Sequence, residues 1–300
     1  MNPSTVTIAP AGWLRRAWGL VRLVRPGNVA MICVGVGLGG VLAGGVDVLQ
    51  AEPGMQLLVA ALSAALIGGG ASSLNDALDL EVDRLNRPER PLPAGLLSAG
   101  TARLLWGIGS GAGVMLAFSL SSMHVALALG ALGLMVVYNV YLKRTMLVGN
   151  LVVALVTGLA LVYGGWGLGR MAPVFVGAGF AFLTTLAHEI VKDLEDRAGD
   201  AAAGARTLPL VYHPRVAVCA VVGVLVVTLL LTPMPFLLLD YRGLFLLLLL
   251  VSDALLLQVL WILLGPGPEE HAGRVSRLLK AVMIAGMIAL AFGAIVRLGE

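Results

Sequence analysis

Charged side chains are scarce in this 300-residue chain, in which Asp, Glu, Lys and Arg make up 12% of the residues. An ordinary soluble domain has roughly twice that share. Cysteine is also scarce: Cys33 and Cys219 both lie in apolar stretches, so no disulfide framework is indicated. No basic cluster points to nucleic acid as a partner. What the chain has instead is apolar surface, with 59% hydrophobic residues and a mean hydropathy of +0.95, which is typical of a membrane protein.

Nine apolar stretches are long enough to cross a bilayer, since a spanning helix needs about 20 such residues. They are 28–46, 55–75, 103–120, 123–142, 148–167, 172–191, 215–233, 243–264 and 279–297. The 39 glycines fit helices that approach one another closely within a membrane. We therefore predict an all-α, polytopic protein, a single membrane domain over residues 1–300, with nine spans around a central cavity that opens to the cytoplasmic side.

The basic residues predict the orientation. With nine spans, 17 of the 20 Lys and Arg residues fall on the side that holds the N-terminus. Because cytoplasmic loops carry the excess of positive charge, we expect the N-terminus in the cytoplasm and the protein in the plasma membrane. Residues 1–10 are expected to be disordered. Residues 11–25 combine Trp13 and Trp18 with four arginines, which indicates an amphipathic helix at the membrane interface.

Acidic side chains concentrate in two motifs with the same spacing. Asp76, Asp79 and Asp83 stand at i, i+3 and i+7, and the pattern returns 117 residues later. At ~100° per residue, such a triplet shares one stripe of a helix. The second triplet consists of Asp193, Asp196 and Asp200. Each triplet is followed by an arginine and a Leu-Pro pair, so we interpret the two motifs as two copies of one functional motif.

Two facing stripes of carboxylates suit a hard divalent cation, and arginines near each motif can hold a phosphate. The residues therefore predict a site for a diphosphate and magnesium. Two alternatives stay open. The acids could form structural ion pairs, or they could mark the path of a transported ion. Transport sites commonly lie near the bilayer midplane, whereas these acids lie at helix ends beside arginines.

Two segments resemble a known family. Residues Asn75–Gly95 read NDALDLEVDRLNRPERPLPAG, and His188–Pro209 read HEIVKDLEDRAGDAAAGARTLP. They are similar to the first and second signatures of the UbiA superfamily of intramembrane prenyltransferases, and the span count and the motif positions after spans 2 and 6 agree. The second segment most resembles members that prenylate geranylgeranylglyceryl phosphate, although His188 stands where those usually have arginine.

The resemblance implies roles for individual residues. The implied ligands of two magnesium ions are Asn75, Asp76, Asp79, Asp83, Asp193, Asp196 and Asp200. The aspartates and Lys143 are the implied catalytic residues. Implied substrate contacts are Asn75, Arg84, Arg87, Arg90, Tyr138 and Lys143. Four further residues are expected to contact the substrate because they lie beside the motifs or at the membrane interface: Asn28, Glu189, Lys192 and Arg206.

The implied reaction is magnesium-dependent transfer of a prenyl group, with geranylgeranyl expected, from its diphosphate to the hydroxyl of geranylgeranylglyceryl phosphate. Diphosphate is released, and the product belongs to membrane ether-lipid synthesis. The alternative reaction is prenylation of an aromatic acceptor, as in quinone or tocopherol-type synthesis. The non-enzymatic alternative is that the protein is a membrane transporter. The expected partners are a prenyl diphosphate donor, a lipid-like or aromatic acceptor and the bilayer. The apolar bundle would keep water from the reactive allylic carbon.

Overall fold

The structure is a computed structural model that describes residues 12–143, 145–202 and 204–298, and the described chain is helical throughout its regular elements. The α-helices are α1 (Trp13–Leu23), α2 (Pro26–Gly44), α3 (Ala51–Leu78), α4 (Leu80–Asn86), α5 (Ala99–Phe118), α6 (Ser122–Val137), α7 (Val148–Gly165), α8 (Met171–Glu195), α9 (Arg197–Ala202), α10 (Leu208–Val211), α11 (Pro214–Leu231), α12 (Met234–Leu239), α13 (Leu244–Leu264) and α14 (Ala272–Leu298). A turn of π-helix, Tyr138–Leu142, extends α6.

The predicted number of spans is confirmed: nine segments of the described chain are long and apolar enough to cross a membrane. The last of them starts earlier than the hydropathy pattern predicts, because α14 already begins at Ala272. Its first turns carry Arg274, Arg277 and Lys280, all exposed. Long basic side chains can extend from a helix end to the water layer, so their charge does not stop the helix.

The predicted amphipathic helix is present as α1. Trp13 and Trp18 are exposed, whereas Gly19 and Leu23 are buried. Leu23 joins a small core with Ala77 of α3 and Leu92. This core fixes the N-terminal helix and the 87–97 connection on top of the end of α3. The expected disorder of residues 1–10 lies outside the described residues.

Close helix packing depends on glycine where α2 meets α7. A Cβ at Gly39 would collide with the backbone carbonyl of Leu161, and one at Gly164 with that of Val36. Small residues at such a contact let two backbones approach closely, and van der Waals packing then stabilises the pair in a lipid environment.

A central cavity of about 280 Å³ lies within the bundle. Its lining is almost entirely apolar and comes from α2, α3, α6, α7, α8, α11, α12, α13 and α14. Three of the lining residues mark the end of the cavity nearest the aspartate motifs: Gly68 on α3, Met135 on α6 and Thr185 on α8. Each lies one to two turns before the polar residues that end its helix, so the cavity ends directly beneath the two aspartate motifs.

Candidate active site

Both aspartate motifs bend at their middle residue. Asp79 lies between α3 and α4 with φ −88° and ψ 3°, and Asp196 lies between α8 and α9 with φ −88° and ψ 4°. The expectation that each triplet lies on one continuous helix is therefore wrong. Backbone hydrogen bonds still connect Asp83 to Asp79 and Asp200 to Asp196, at 2.8 and 2.9 Å. This region of φ and ψ is sparsely populated and frequent in active sites. Because the middle aspartate of both motifs adopts it, the structure supports the interpretation that the two motifs are copies of one functional motif.

Basic side chains from three separate segments hold the first motif. Arg25, which precedes α2, pairs with Asp76 and donates a hydrogen bond to Asn75 Oδ1 at 3.0 Å. Arg90, in the connection after α4, contacts Asp83 Oδ2 at 2.6 Å and Asp76 Oδ1 at 3.4 Å. Lys143 pairs with Asp79. The Asp76 and Asp83 side chains are only 5% and 8% exposed, so these cations neutralise carboxylates that have lost most of their water.

Arg25 reaches the motif through an unusual backbone. Its φ of 54° and ψ of 74° lie in the left-handed region, which costs a non-glycine residue ~1 kcal/mol or more. The right-handed helical region is disfavoured because Pro26 follows. The buried Leu23 anchors the preceding helix. The chain therefore turns sharply between α1 and α2 and directs the Arg25 guanidinium towards Asn75 and Asp76. Strain of this kind persists at functional sites.

The π-helical turn that extends α6 and the first turn of α7 contact the first and the second motif respectively. Asn75 Nδ2 donates to Asn139 Oδ1 at 2.7 Å, and Asn150 Nδ2 donates to Asp193 Oδ2 at 2.8 Å. The π-helical turn that carries Asn139 lies against the start of α7, where a Cβ on Gly149 would come within 2.7 Å of a backbone carbonyl of that turn. Irregular turns of this type are frequent at functional sites. The end of α6 and the start of α7 thus bring the two motifs to the same end of the cavity.

Tyr138 lies between the two motifs. It interacts electrostatically with Asp79 and Arg25 at the first motif and with Asp193 and Glu189 at the second. The site residues Asn75, Asp79, Tyr138, Lys143, Glu189 and Asp193 are thus neighbours across the cavity mouth, as expected for one shared site.

The second motif is more open to solvent than the first. Asp196 is exposed, and Asp200 is partly buried. Burial is the main factor that raises the pKa of Asp200, and the nearby Asp196 carboxylate raises it further, while the exposed Lys192 opposes the shift. Carboxylates whose neighbours are other carboxylates are well placed to attract a divalent cation.

Within the part of the chain that the structure describes, no three His, Cys, Asp or Glu side chains converge closely enough to hold a metal ion by themselves. Magnesium does not require such a cage, because it usually binds one or two carboxylates together with substrate phosphates and water. The two motifs offer carboxylate and amide oxygens, and oxygen is the donor that magnesium prefers. The residues present therefore fit the ion.

Several expected substrate contacts lie outside this cluster. Arg84 pairs with Glu81 of its own helix at 2.7 Å, and both side chains are exposed. Arg87, Arg206 and Asn28 are exposed as well. Of the three arginines after the first motif, only Arg90 turns inward, because the adjoining Pro91 and Leu92 are buried beneath α1.

Three polar residues of the site were missed by the sequence reasoning. Arg25 was assigned only to the amphipathic helix, and Asn139 and Asn150 were given no role. A signal for the asparagines was available: polar side chains in or next to an apolar span are costly and often functional.

Comparison with known proteins decides the family. The UbiA prenyltransferase family matches residues 30–295, which include both motifs and every helix from α3 to α13. The chain belongs to the UbiA prenyltransferase family. It is therefore a prenyltransferase.

Relatives of this UbiA family member match about nine tenths of its length. The digeranylgeranylglyceryl phosphate synthase of Methanothermobacter thermautotrophicus is 33% identical over 273 residues, which are 91% of this chain and 95% of that one. The synthase of the same name from Methanopyrus kandleri is 35% identical over 270 residues, 90% and 96% of the two chains.

Solved structures agree on the fold. A digeranylgeranylglyceryl phosphate synthase structure superimposes with a TM-score of 0.82 at 25% identity and covers 94% of this chain and 99% of that chain. A UbiA homolog from Archaeoglobus fulgidus, bound to GPP and Mg2+, gives a TM-score of 0.68 at 21% identity, with coverages of 90% and 99%. The fold of this UbiA family member is thus shared with solved members.

Proposed function

We propose that this prenyltransferase transfers a geranylgeranyl group from geranylgeranyl diphosphate to the free hydroxyl of geranylgeranylglyceryl phosphate. The observation that carries the proposal is an apolar cavity that ends beneath two aspartate motifs, which Asn139 and Asn150 contact from the end of α6 and the start of α7. The choice of acceptor is supported by relatives at 33% and 35% identity that are digeranylgeranylglyceryl phosphate synthases.

Magnesium would be held by Asp76, Asp79 and Asp83 with Asn75 on one side, and by Asp193, Asp196 and Asp200 on the other, with one ion at each motif. When bound, it would stabilise the negative charge that grows on the departing diphosphate. The bend at Asp79 and Asp196 supports this assignment, because it changes the direction of the chain in the middle of each carboxylate set.

Arg25, Arg90 and Lys143 would bind the diphosphate oxygens. In the structure each contacts a carboxylate of the first motif, so each is within reach of a diphosphate bound beside that motif. Guanidinium groups match phosphate geometry with two parallel hydrogen bonds. Fixed cations aimed at the place where charge develops lower the barrier to breaking the C1–oxygen bond.

The cavity would hold the prenyl tail. The apolar lining next to the motifs supports a position at the cavity mouth for the allylic carbon, which is the boundary between tail and diphosphate. A dry wall on that side excludes water, which would otherwise react with the allylic cation and yield an alcohol.

We also propose that the motifs face the cytoplasm of the cell. The excess of Lys and Arg on the side of the N-terminus supports this orientation, since positive charge is retained on the cytoplasmic side.

The function is tested with purified protein, magnesium and geranylgeranyl diphosphate, offered geranylgeranylglyceryl phosphate in one reaction and an aromatic quinone precursor in another, with products identified by mass spectrometry. We expect the diether product and diphosphate from the first reaction and no prenylated product from the second. A prenylated aromatic product alone would contradict the choice of acceptor. Absence of diphosphate release with every acceptor would contradict prenyl transfer and favour transport instead.

Replacing Arg25 with glycine separates binding from stability. We expect the KM for the donor to rise roughly 10-fold, because one hydrogen bond to a charged group is worth about 1.5–3 kcal/mol. The melting temperature should change by no more than ~3 °C, because Arg90 still contacts the buried Asp76 carboxylate and glycine adopts the positive φ of 54° without strain. Kinetics over a range of donor concentrations and thermal unfolding measure the two effects.

The control for this variant is Arg22→Ala, which removes an exposed arginine of α1 three residues earlier in the chain. It should leave the donor KM unchanged. An equal rise in KM in both variants would mean that general positive charge at the membrane surface, rather than contact at the site, attracts the donor.

A further inference from the structure

Glu189 lies at the boundary where the reaction must take place. On α8, Thr185 lines the cavity, Glu189 follows one turn later, and Asp193 of the second motif follows one turn after that. Residues four apart share one face of a helix. If the tail occupies the cavity and the diphosphate the motifs, the allylic carbon and the acceptor oxygen meet at the level of Glu189.

The surroundings of Glu189 differ from those of the other carboxylates at the site. In the described chain, Asp76, Asp79 and Asp83 form ion pairs with Arg or Lys, and Asp193 accepts a hydrogen bond from Asn150. Glu189 Oε1 instead lies 3.5 Å from His188 Nδ1, and its side chain is 21% exposed. The group that pairs with Glu189 is thus an imidazole, while Lys192 and Lys280 are its more distant cationic neighbours.

His188 is held in place from the other side. Its Nε2 lies 3.3 Å from the hydroxyl of Ser276, a buried residue of α14. Gly273, one turn earlier on α14, lies against Glu195 of α8, where a Cβ would come within 3.2 Å of the carboxylate. The close contact of these two helices therefore fixes the ring beside Glu189.

The proposed reaction requires a proton acceptor. When the acceptor oxygen forms its bond to C1 of the prenyl group, the C1–oxygen bond of the donor breaks and its electron pair leaves with the diphosphate. The hydroxyl proton must then go to a base near the acceptor, and the cavity lining itself, among the described residues, contains no carboxylate or histidine that could take it. A base must lie within hydrogen-bonding reach of the proton that it takes.

We infer that Glu189 is this base: its carboxylate takes the proton of the acceptor hydroxyl as the ether bond forms. His188 is a positioning residue that orients the carboxylate, and Ser276 holds His188. The inference rests on the proposed function, since the proton that Glu189 takes is that of the acceptor hydroxyl.

The test compares Glu189→Gln and Glu189→Asp with a matched control, Glu195→Gln, an exposed glutamate on the last turn of the same helix. In the full-length protein, Glu189→Gln should lower kcat for ether formation roughly 100-fold, as expected for loss of a general base. The donor KM should stay within about 3-fold of wild type, because the diphosphate contacts are intact. Glu189→Asp should retain at least about a tenth of the activity, and Glu195→Gln should match wild type.

A second measurement separates a base from a structural residue. A fluorinated acceptor, whose hydroxyl is more acidic, needs less help from a base. The ratio of the Glu189→Gln rate to the wild-type rate should therefore rise at least about 10-fold with this acceptor. His188→Gln, which can still hydrogen-bond Glu189, should lower kcat less than His188→Leu, with the donor KM unchanged in both.

Three outcomes would overturn the inference: a near-normal kcat in Glu189→Gln, a loss of donor binding together with kcat, or no recovery with the acidic acceptor. If Glu189→Gln does not fold, Glu189→Asp decides: a fall in kcat of up to about 10-fold at unchanged donor KM, which the acidic acceptor restores, supports the inference, whereas an unchanged kcat or no restoration overturns it. Failure of the proposed function looks different, because wild-type protein would then form no ether from geranylgeranylglyceryl phosphate before any variant is compared.

Discussion

Asp196→Asn and Asp79→Asn are each expected to lower prenyl transfer on the order of 1000-fold, the upper range for loss of one group that stabilises transition-state charge. An amide is a much weaker ligand for magnesium than a carboxylate, while its shape is nearly the same. Asp196 is exposed at the bend between α8 and α9, so its replacement should leave the fold intact. Transfer is measured as product formed per enzyme, and folding by thermal unfolding.

The chain supplies a matched control next to each aspartate. Glu81→Gln removes an exposed carboxylate that pairs with Arg84 on the outer face of α4, and Glu195→Gln removes one beside Asp196. Both should retain wild-type transfer. Near-normal turnover in the two aspartate variants would contradict the metal assignment, and equal losses in the controls would point to general negative charge at the membrane surface.

Gly39→Ala should lower the stability of the protein strongly. The added Cβ would collide with the backbone carbonyl of Leu161 on α7, and a backbone atom cannot rotate away as a side chain can. Overpacking in a well-packed contact costs about 1–3 kcal/mol and sometimes more. We expect about 3 kcal/mol here, which corresponds to a fall of roughly 10 °C in melting temperature.

Gly37→Ala is the control, two residues earlier on the same helix. A Cβ at Gly37 meets nothing within 4 Å, so alanine should leave stability unchanged or raise it slightly through helix propensity. A similar fall in both variants would mean that helix flexibility matters rather than the contact with α7. No fall in either would contradict the close approach of α2 and α7.

The family signal and the span count could be obtained from the sequence because both are local. A run of about 20 apolar residues indicates a span whatever surrounds it. The 3-plus-4 spacing of the aspartates likewise places them near one another on a helix turn without reference to the rest of the chain. The comparisons confirm the family, and the structure confirms nine spans within the described residues.

The inward and outward directions of the arginines could not be obtained in this way. Arg84, Arg87 and Arg90 are chemically equal in the sequence, yet only Arg90 contacts the motif, because Leu92 is buried against Leu23 of α1. Arg25 reads as part of an amphipathic helix until the left-handed turn before Pro26 directs it to Asp76. Both contacts depend on packing between separate segments of the chain, so no local pattern contains them.

By itself, the sequence determined nine apolar spans and two aspartate motifs of the same spacing, because hydropathy and helical spacing are properties of neighbouring residues; the prenyltransferase activity followed from the resemblance to the UbiA family. Only the tertiary structure decided the bends at Asp79 and Asp196, the joining of both motifs by Asn139 and Asn150, and the place of Glu189 at the cavity mouth. Those features depend on how distant helices pack against one another, and that packing depends on shape and close contact rather than on spacing along the chain.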